Sequence, residues 1–304
     1  MKKASIILSS ALLLGVLAGC GSNNDANSAN KTEPANNAAA TNTNATNAGS
    51  NDASAEQGKY QDGVYYAQGE VDADSGWQSY VTLTVAGGKI TEAKWNALSE
   101  KAPVDKVTYS KEGKYGMKAG GAASEWHEQA EKVEQFLIEK QDPKAITLND
   151  EGKTDAIAGV SVHVSEFFNL ADQALTAGPV AAGPYKDGTY HAEGAAFDEH
   201  SGWKDTVDVV VAAGKIVKVN FSGVNDKGED KKQYSIDGKY GMKAAGSQGE
   251  WHEEAAKAEA YLVEKQDPAA VTFNEEGKTD AIAGATITLQ PHFELVTKAL
   301  ESAK

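Results

Sequence analysis

Two stretches of the chain alternate apolar and polar residues, and a helical stripe follows each of them. In the first stretch three segments are typical of antiparallel strands: 64–67, 80–85 and 89–95. A turn at Gly87-Gly88 is expected to join the last two. Four apolar residues then recur at the spacing of one helix face: Trp126, Ala130, Val133 and Leu137. This helix should end at Asp142-Pro143, because proline disfavours helix at the residue before it.

The same pattern returns 125 residues later. Four short segments of the first copy recur almost unchanged in the second: 60–63, 114–119, 125–128 and 139–143. Strands are therefore expected at 206–211 and 215–221 as well. A last helix is expected at 165–175 in the first copy and at 291–300 in the second.

A repeat of this length suits a whole domain rather than a solenoid unit. Strands grouped before helices, without a βαβ alternation, favour an α+β fold. We therefore predict two tandem α+β domains, at 59–178 and 184–304, each an antiparallel sheet packed with helices. The junction between them is short and contains proline, so the two copies should sit close together.

The residues before the first domain have a different character. Lys2 and Lys3 precede an apolar run too short to span a bilayer, which predicts a secretory signal peptide over 1–19. The run ends in Leu17-Ala18-Gly19-Cys20, which resembles the lipobox of bacterial lipoproteins, where the cysteine is lipidated; the alternative is a free cysteine in an uncleaved signal. Residues 20–58 are mostly small and polar and predict a disordered tether. We expect a lipid-anchored protein on the extracellular face of the cell membrane.

Composition argues against several kinds of chemistry. The formal net charge is −15 at pH 7, so nucleic-acid phosphates would be repelled. The chain has 1 cysteine, which excludes an intramolecular disulfide and a thiol redox pair.

One motif occurs in both copies and is the strongest candidate for a functional site. It reads Asp280-Ala281-Ile282-Ala283-Gly284-Ala285-Thr286 in the second copy and Asp155-Ala156-Ile157-Ala158-Gly159-Val160-Ser161 in the first. The glycine two residues before the hydroxyl has no side chain, so a large partner can reach the oxygen. This arrangement suits an attachment point. The alternative is a tight strand-to-helix turn with a capping hydroxyl.

The motif and the order of strands and helices resemble the FMN-binding domain found in the sodium-translocating NADH:quinone reductase and in the Rnf complex. The resemblance spans both repeats. In that family the motif is Asp-x-x-Ser/Thr-Gly-Ala-Ser/Thr, and a flavin transferase esterifies the last hydroxyl with the phosphate of FMN, using FAD as donor. The resemblance makes Thr286 the attachment residue, with Asp280, Gly284 and Ala285 in matching positions. Ala283 departs from the pattern, because the family usually has a hydroxyl residue there.

The first copy matches the family motif less closely. Ser161 is its candidate attachment residue, and Asp155 and Gly159 match. Ala158 again lacks the hydroxyl, and Val160 replaces alanine. A β-branched neighbour can hinder the transferase at this serine.

The resemblance implies covalent FMN, up to two per chain, and an electron carrier rather than an enzyme. A membrane quinone or NADH dehydrogenase system would donate electrons, and ferric iron or free flavins outside the cell would accept them. Each phosphate is expected near the start of the helix that follows the motif. Asp155 and Asp280 are expected to hold the turn through backbone N–H groups, or to bind a metal ion of the transferase.

Other residues and functions are alternatives to this scheme. Flat aromatic and thioether side chains can line an isoalloxazine ring: Trp126, Trp251, Tyr115, Tyr240, Met117 and Met242. Trp126 also continues the helix stripe, which favours the core. A solvated helix face is the preferred interpretation of His127 and His252 over a metal site. The rival functions are a surface lipoprotein that binds a small ligand without redox chemistry, and a peripheral component of a reductase complex.

Overall fold

The computed structural model describes residues 58–304, which form one unit. Their fold is mixed α+β with two antiparallel three-stranded sheets, as expected from strands grouped before helices. In the first repeat the elements are β1 (Gly63–Val71), β2 (Gln78–Ala86), β3 (Lys89–Leu98), α1 (Lys106–Lys111), α2 (Trp126–Lys140) and α3 (Ser165–Ala177). In the second they are β4 (Gly188–Glu193), β5 (Lys204–Ala212), β6 (Lys215–Val224), α4 (Lys231–Ile236), α5 (Trp251–Lys265) and α6 (Gln290–Glu301).

The predictions for the N-terminal segment fall outside this part of the chain. The predicted signal peptide at 1–19, Cys20, and all but the last residue of the predicted tether at 20–58 are not among the described residues. The lipid anchor therefore stays a prediction. No helix between residues 58 and 304 is both long enough and apolar enough to cross a membrane.

Each sheet is a meander whose central hairpin turns on two residues with left-handed backbone. Gly87 and Gly88 have φ of 60° and 71°, the signature of a tight hairpin turn that glycine favours. The carboxylate of Asp62 accepts hydrogen bonds from their backbone N–H groups at 3.0 and 2.7 Å. Asp187 does the same at the second hairpin. The recurring Tyr-x-Asp-Gly segment thus closes the hairpin of each repeat.

The long helices follow the predicted pattern. The four stripe residues of α2 are at most 2% exposed and face β3, with α3 packed on β1 and β2. A capping box between Glu125 and Glu128 starts α2, which explains why the Glu-Trp-His-Glu segment recurs at the same place in α5. α2 ends at Lys140, and the left-handed C-cap residue Gln141, with φ of 58°, stops the helix just before Pro143.

The sequence pattern does not predict three of the elements. α1 and α4 are 6 residues each, too short for a helical period to emerge from the sequence. β4 lies at a sheet edge, and Ala192 is its one buried residue, so it shows little apolar alternation. An edge strand of this kind is specified by pairing with its neighbour more than by its own sequence.

The two repeats are in contact. An apolar cluster combines residues of both sheets: Tyr80, Leu98, Val210 and Ala212. Beside it, Lys218 Nζ donates hydrogen bonds to the carbonyl oxygens of Ser99 and Ala102, both at 2.5 Å. Thr189 Oγ1 also donates to the Asp105 carboxylate. The expectation of closely placed copies agrees with these contacts, while the exact domain limits at 59–178 and 184–304 stay a prediction.

Candidate functional site

The motif forms the same turn in both repeats. Its isoleucine is buried, at 7% exposure for Ile157 and 5% for Ile282, and anchors the turn in the core. Three residues later the backbone N–H donates back to the isoleucine carbonyl, at 3.3 Å in the first repeat and 3.2 Å in the second. Gly159 and Gly284 hold the third position with φ of 74°. Glycine adopts a left-handed backbone at this position with the least strain, because it has no Cβ.

The turn should be sensitive to a side chain at this glycine. Gly284→Ala places a Cβ in the left-handed region and 2.6 Å from Lys257 Nζ. We expect it to lower the free energy of unfolding by about 1–2 kcal/mol, since the lysine can move but the backbone strain stays. Urea unfolding followed by tryptophan fluorescence measures the change. Gly120→Ala is the control, because its φ is outside that region, and an equal loss there would contradict the explanation.

The two hydroxyl side chains are exposed and lie immediately after the turn. Each is bonded to one polar side chain that projects from the preceding long helix. In the second repeat Glu254 Oε2 accepts from Thr286 N at 2.6 Å, Thr286 Oγ1 at 2.9 Å and Ile287 N at 3.2 Å. In the first, Gln129 Oε1 accepts from Ser161 N at 2.7 Å, Ser161 Oγ at 3.3 Å and Val162 N at 3.2 Å.

Glu254 and Gln129 are buried, at 2% and 1% exposure, and occupy corresponding positions on α5 and α2. A lysine follows each of them by three residues, on the same side of the helix. Lys257 Nζ donates to the Gly284 carbonyl at 2.6 Å. Lys132 Nζ lies 2.6 Å from where a Cβ on Gly159 would be. Each turn is thus flanked by a buried hydrogen-bond acceptor and an amine.

These two helix residues could not be found from the motif itself, because they are far from it along the chain. Glu254 and Thr286 are 32 residues apart, and no local pattern links them. The signal that could have found them is an alignment of the two repeats. It places Gln129 opposite Glu254 in an otherwise similar helix, so the difference in charge stands out.

The expected turn-holding role of the motif aspartates is wrong. Asp155 and Asp280 are exposed, and within residues 58–304 neither carboxylate makes a hydrogen bond or an ion pair. The residue before each aspartate holds the turn instead. The Thr154 and Thr279 hydroxyl oxygens accept the backbone N–H of Ala156 at 3.1 Å and Ala281 at 3.2 Å. The aspartates therefore face solvent, where they can meet a cation or a partner.

The expectation of a phosphate at the start of the next helix is also wrong for the second repeat. α6 begins four residues after Thr286, at Gln290. The backbone N–H groups of Leu289 and Gln290 donate to the Gly277 carbonyl, and those of His292 and Phe293 donate to the Leu289 carbonyl. No backbone donor from 289 to 293 is left for a phosphate, since residue 291 is proline.

A cavity of about 370 Å³ lies beside the motif turn of the second repeat. Ile287 and Thr288, which directly follow Thr286, form part of its wall. Tyr240 and Trp251 form another part. They are two of the aromatic residues expected to line a flat ligand, and the cavity is of the size that small-molecule sites have.

All six residues of that aromatic and thioether set pack at the cores, including Trp251, which is 3% exposed, and Tyr240, which packs against the same core. Trp126 is 2% exposed within the first core, as its place in the helix stripe predicts. Tyr115, Met117 and Met242 are partly buried against the core of their own repeat. Val160 also packs against the first core, so its side chain lies on the inner side of the turn rather than beside the exposed hydroxyl.

A buried lysine lies in the cavity wall. Lys231 is 6% exposed and pairs with Asp205 at 3.0 Å, and its Nζ is 4.7 Å from the centre of the Trp251 ring. His292 is beside it, and burial lowers its pKa to about 4. The neutral imidazole donates from Nε2 to the Ser222 carbonyl at 3.2 Å, which leaves Nδ1 as a buried acceptor without a partner in the described part of the chain.

The first repeat surrounds the corresponding lysine differently. The ammonium of Lys106 lies 4.6 Å from the Trp126 ring centre, 4.8 Å from that of Tyr115 and 5.5 Å from that of Trp77. Burial lowers the pKa of Lys106 to about 8, with the charges of Glu166 and Asp72 opposing the shift. The two repeats therefore offer different electrostatic surroundings next to the same kind of turn.

The helix histidines bind neighbouring helices together. The Nδ1 atoms of His127 and His252 lie 2.9 Å from the hydroxyl oxygens of Ser110 and Ser235. These contacts join α2 to α1 and α5 to α4. Among residues 58–304 no group of three or more histidine, cysteine or acidic residues is arranged to hold a metal ion.

No family model and no curated protein matches the chain. Two solved structures are similar to part of it. A solution NMR structure of a Clostridium thermocellum protein is 52% identical over 38% of this chain and 91% of that chain, with a TM-score of 0.32. A crystal structure of a Clostridium perfringens protein is 28% identical over 38% of this chain and 87% of that chain, with a TM-score of 0.30. Each match spans most of the other protein and a little over a third of this one.

Proposed function

We propose that this protein is a lipid-anchored electron carrier outside the cell membrane, with FMN esterified through its phosphate to Thr286 and Ser161. The observation that supports this most directly is the exposed Thr286 side chain, which directly follows the motif turn and lies next to a cavity lined by Tyr240 and Trp251. An exposed hydroxyl serves attachment, and a neighbouring aromatic cavity serves a flat ring. The hydroxyl and the nearest part of the cavity wall are adjacent along the chain, at Thr286 and Ile287.

The chain fits a covalently held flavin in three respects. The cavity of about 370 Å³ is within the range of small-molecule sites. Tyr240 offers a partly buried aromatic ring at the cavity wall, and His292 Nδ1 is a buried acceptor that lacks a partner among the described residues. Lys231 is also in the wall, where its ammonium is paired with Asp205. FMN, once bound, supplies reversible electron transfer, and this chain supplies its position and surroundings.

The partners follow from this assignment. A flavin transferase that uses FAD would load the two hydroxyls. The predicted lipid at Cys20 would hold the protein at the membrane, where a quinone or NADH dehydrogenase system can donate electrons. Ferric iron or free flavins outside the cell would accept them. With a net charge of −15, a nucleic-acid partner is disfavoured.

Intact-mass spectrometry tests the proposal. The protein is produced with and without a flavin transferase and compared with Thr286→Ala, Ser161→Ala and the double variant. We expect two FMN adducts in the wild type, one in each single variant and none in the double variant, because a phosphoester needs the hydroxyl. Both side chains are exposed, so the substitutions should leave the fold intact, which circular dichroism checks.

Other outcomes separate the rival functions. A colourless protein that carries no adduct after exposure to the transferase would overturn the proposal and favour the surface binder. A flavinylated protein that exchanges electrons only within a purified reductase complex would favour the peripheral component. An adduct that persists in the double variant would show that attachment is at another residue.

A further inference from the structure

The two turns differ in one group that touches the attachment hydroxyl. Thr286 Oγ1 donates to a carboxylate, Glu254, while Ser161 Oγ donates to an amide, Gln129. The acceptor's position on the helix and the backbone N–H groups that it receives are shared. This difference in the acceptor has a consequence for phosphate transfer, because a carboxylate can take up a proton and an amide oxygen at neutral pH does not.

We propose, on the basis of the proposed flavin attachment, that Glu254 is the base that accepts the Thr286 proton during loading, and that the first repeat lacks this base. The second site should therefore load faster than the first. Glu254 touches the reacting oxygen at 2.9 Å, which is within the reach required of a general base.

The geometry directs the hydroxyl for this step. The Thr286 proton points inward to Glu254 Oε2, so the oxygen lone pairs are left on the exposed side of the turn. Thr286 N and Ile287 N donate to the same oxygen and hold the carboxylate in place. Because Glu254 is 2% exposed, water does not compete for this position.

The step balances with FAD as the donor. The bond from Thr286 Oγ1 to the phosphorus on the FMN side of the FAD pyrophosphate forms. The bond from that phosphorus to the bridging oxygen breaks, and AMP leaves with the bridging oxygen. The proton of the hydroxyl passes to Glu254 Oε2. No oxidation or reduction occurs, and no further reactant is needed.

One effect opposes the proposal. A carboxylate near an incoming pyrophosphate repels it, which would slow loading. Two features reduce this repulsion. Glu254 is buried behind the hydroxyl, away from the incoming pyrophosphate. The positively charged amine of Lys257 lies against the Gly284 carbonyl, on the solvent side of the turn, where it can attract the pyrophosphate. Since Lys132 has the same place in the first repeat, the lysines do not account for a difference between the two sites.

The experiment measures loading of each site separately. Ser161→Ala leaves only Thr286, and Thr286→Ala leaves only Ser161. Each protein is incubated with purified flavin transferase and FAD, and adduct formation is followed by intact-mass spectrometry over time. Glu254→Gln is then added to the protein that keeps Thr286, and Gln129→Glu to the protein that keeps Ser161. Gln129 shows that an amide can accept the same three hydrogen bonds, so Glu254→Gln should keep the turn.

We expect Glu254→Gln to slow loading at Thr286 about a hundredfold or more and Gln129→Glu to speed loading at Ser161, as loss or gain of a general base does. A purely structural role would be met by either side chain, since Gln129 accepts the same three hydrogen bonds, and the exchange variants would then load at unchanged rates.

Two failures can be told apart. If both sites take up FMN but Glu254→Gln loads Thr286 at an unchanged or faster rate, the base assignment is overturned and the flavin attachment stands. If neither site takes up FMN in any protein, the proposed function is overturned and the base assignment with it.

Discussion

His292→Phe is expected to abolish a loss of about 3 kcal/mol in the free energy of unfolding that the wild-type second repeat undergoes when the pH falls from 6.5 to 4. Burial lowers the pKa of His292 from 6.5 to about 4. Between these values the unfolded chain binds a proton that the folded chain does not, so the stability of the native protein falls as the pH drops from 6.5 to 4. Phenylalanine has no such proton, and the loss should disappear.

The groups around His292 support a lowered pKa for its imidazole. Asp205 lies 3.5 Å from Nε2 and favours the protonated ring, while Lys231 disfavours it. Burial is the largest cause of the lowered pKa, because His292 is 1% exposed and packs against the rings of Phe221 and Trp251 at 4.8 and 5.7 Å between centres. The two charges act in opposite directions, and desolvation, the largest cause, decides the direction of the shift.

Urea unfolding of wild type and His292→Phe at pH 7 and pH 4 measures the effect. The two proteins should differ little at pH 7, apart from about 1 kcal/mol for the lost hydrogen bond to Ser222. At pH 4 the variant should be the more stable. The chain offers a reciprocal control, since Phe167 holds the corresponding position and is fully buried. Phe167→His should introduce acid sensitivity into the first repeat, and parallel pH curves for all three proteins would contradict the explanation.

Most of the fold could be predicted from the sequence because the relevant forces are local. Alternation predicts the five strands that have a buried face, and each predicted range lies within an observed strand. The stripe of α2 predicts the face that packs on β3. The short α1 and α4 escape prediction, since what holds them is an aspartate cap, at Asp105 and Asp230, rather than an apolar period.

The candidate site could be predicted only in part. A glycine followed two residues later by a hydroxyl is visible in the motif, which is why Thr286 and Ser161 stand out. The partner of each hydroxyl comes from a helix 32 residues away and is set by tertiary packing. Asp280 illustrates the reverse error, because an acid in a turn is normally expected to bond local N–H groups. Here Thr279 takes that role, and the aspartate is left exposed.

Lys106→Met is expected to stabilise the first repeat by about 2 kcal/mol at pH 7. A pKa lowered from 10.5 to about 8 means that burial penalises the charged amine, by about 3 kcal/mol. The cation–π attraction to the three aromatic rings offsets only about 1 kcal/mol of this desolvation cost. Desolvation therefore outweighs the cation–π attraction, and an apolar side chain of similar length should fit better between the rings.

The pH dependence and a matched variant separate this explanation from better packing alone. Between pH 8 and 10.5 the unfolded chain holds the Lys106 proton and the folded chain does not, so wild type gains stability with rising pH and the advantage of Lys106→Met should shrink. Lys231→Met should act in the opposite direction, because it leaves the Asp205 carboxylate without the ammonium now 3.0 Å away. Urea unfolding at pH 7 and 10 measures both variants, and a stabilising Lys231→Met would show that packing, rather than charge, decides the outcome.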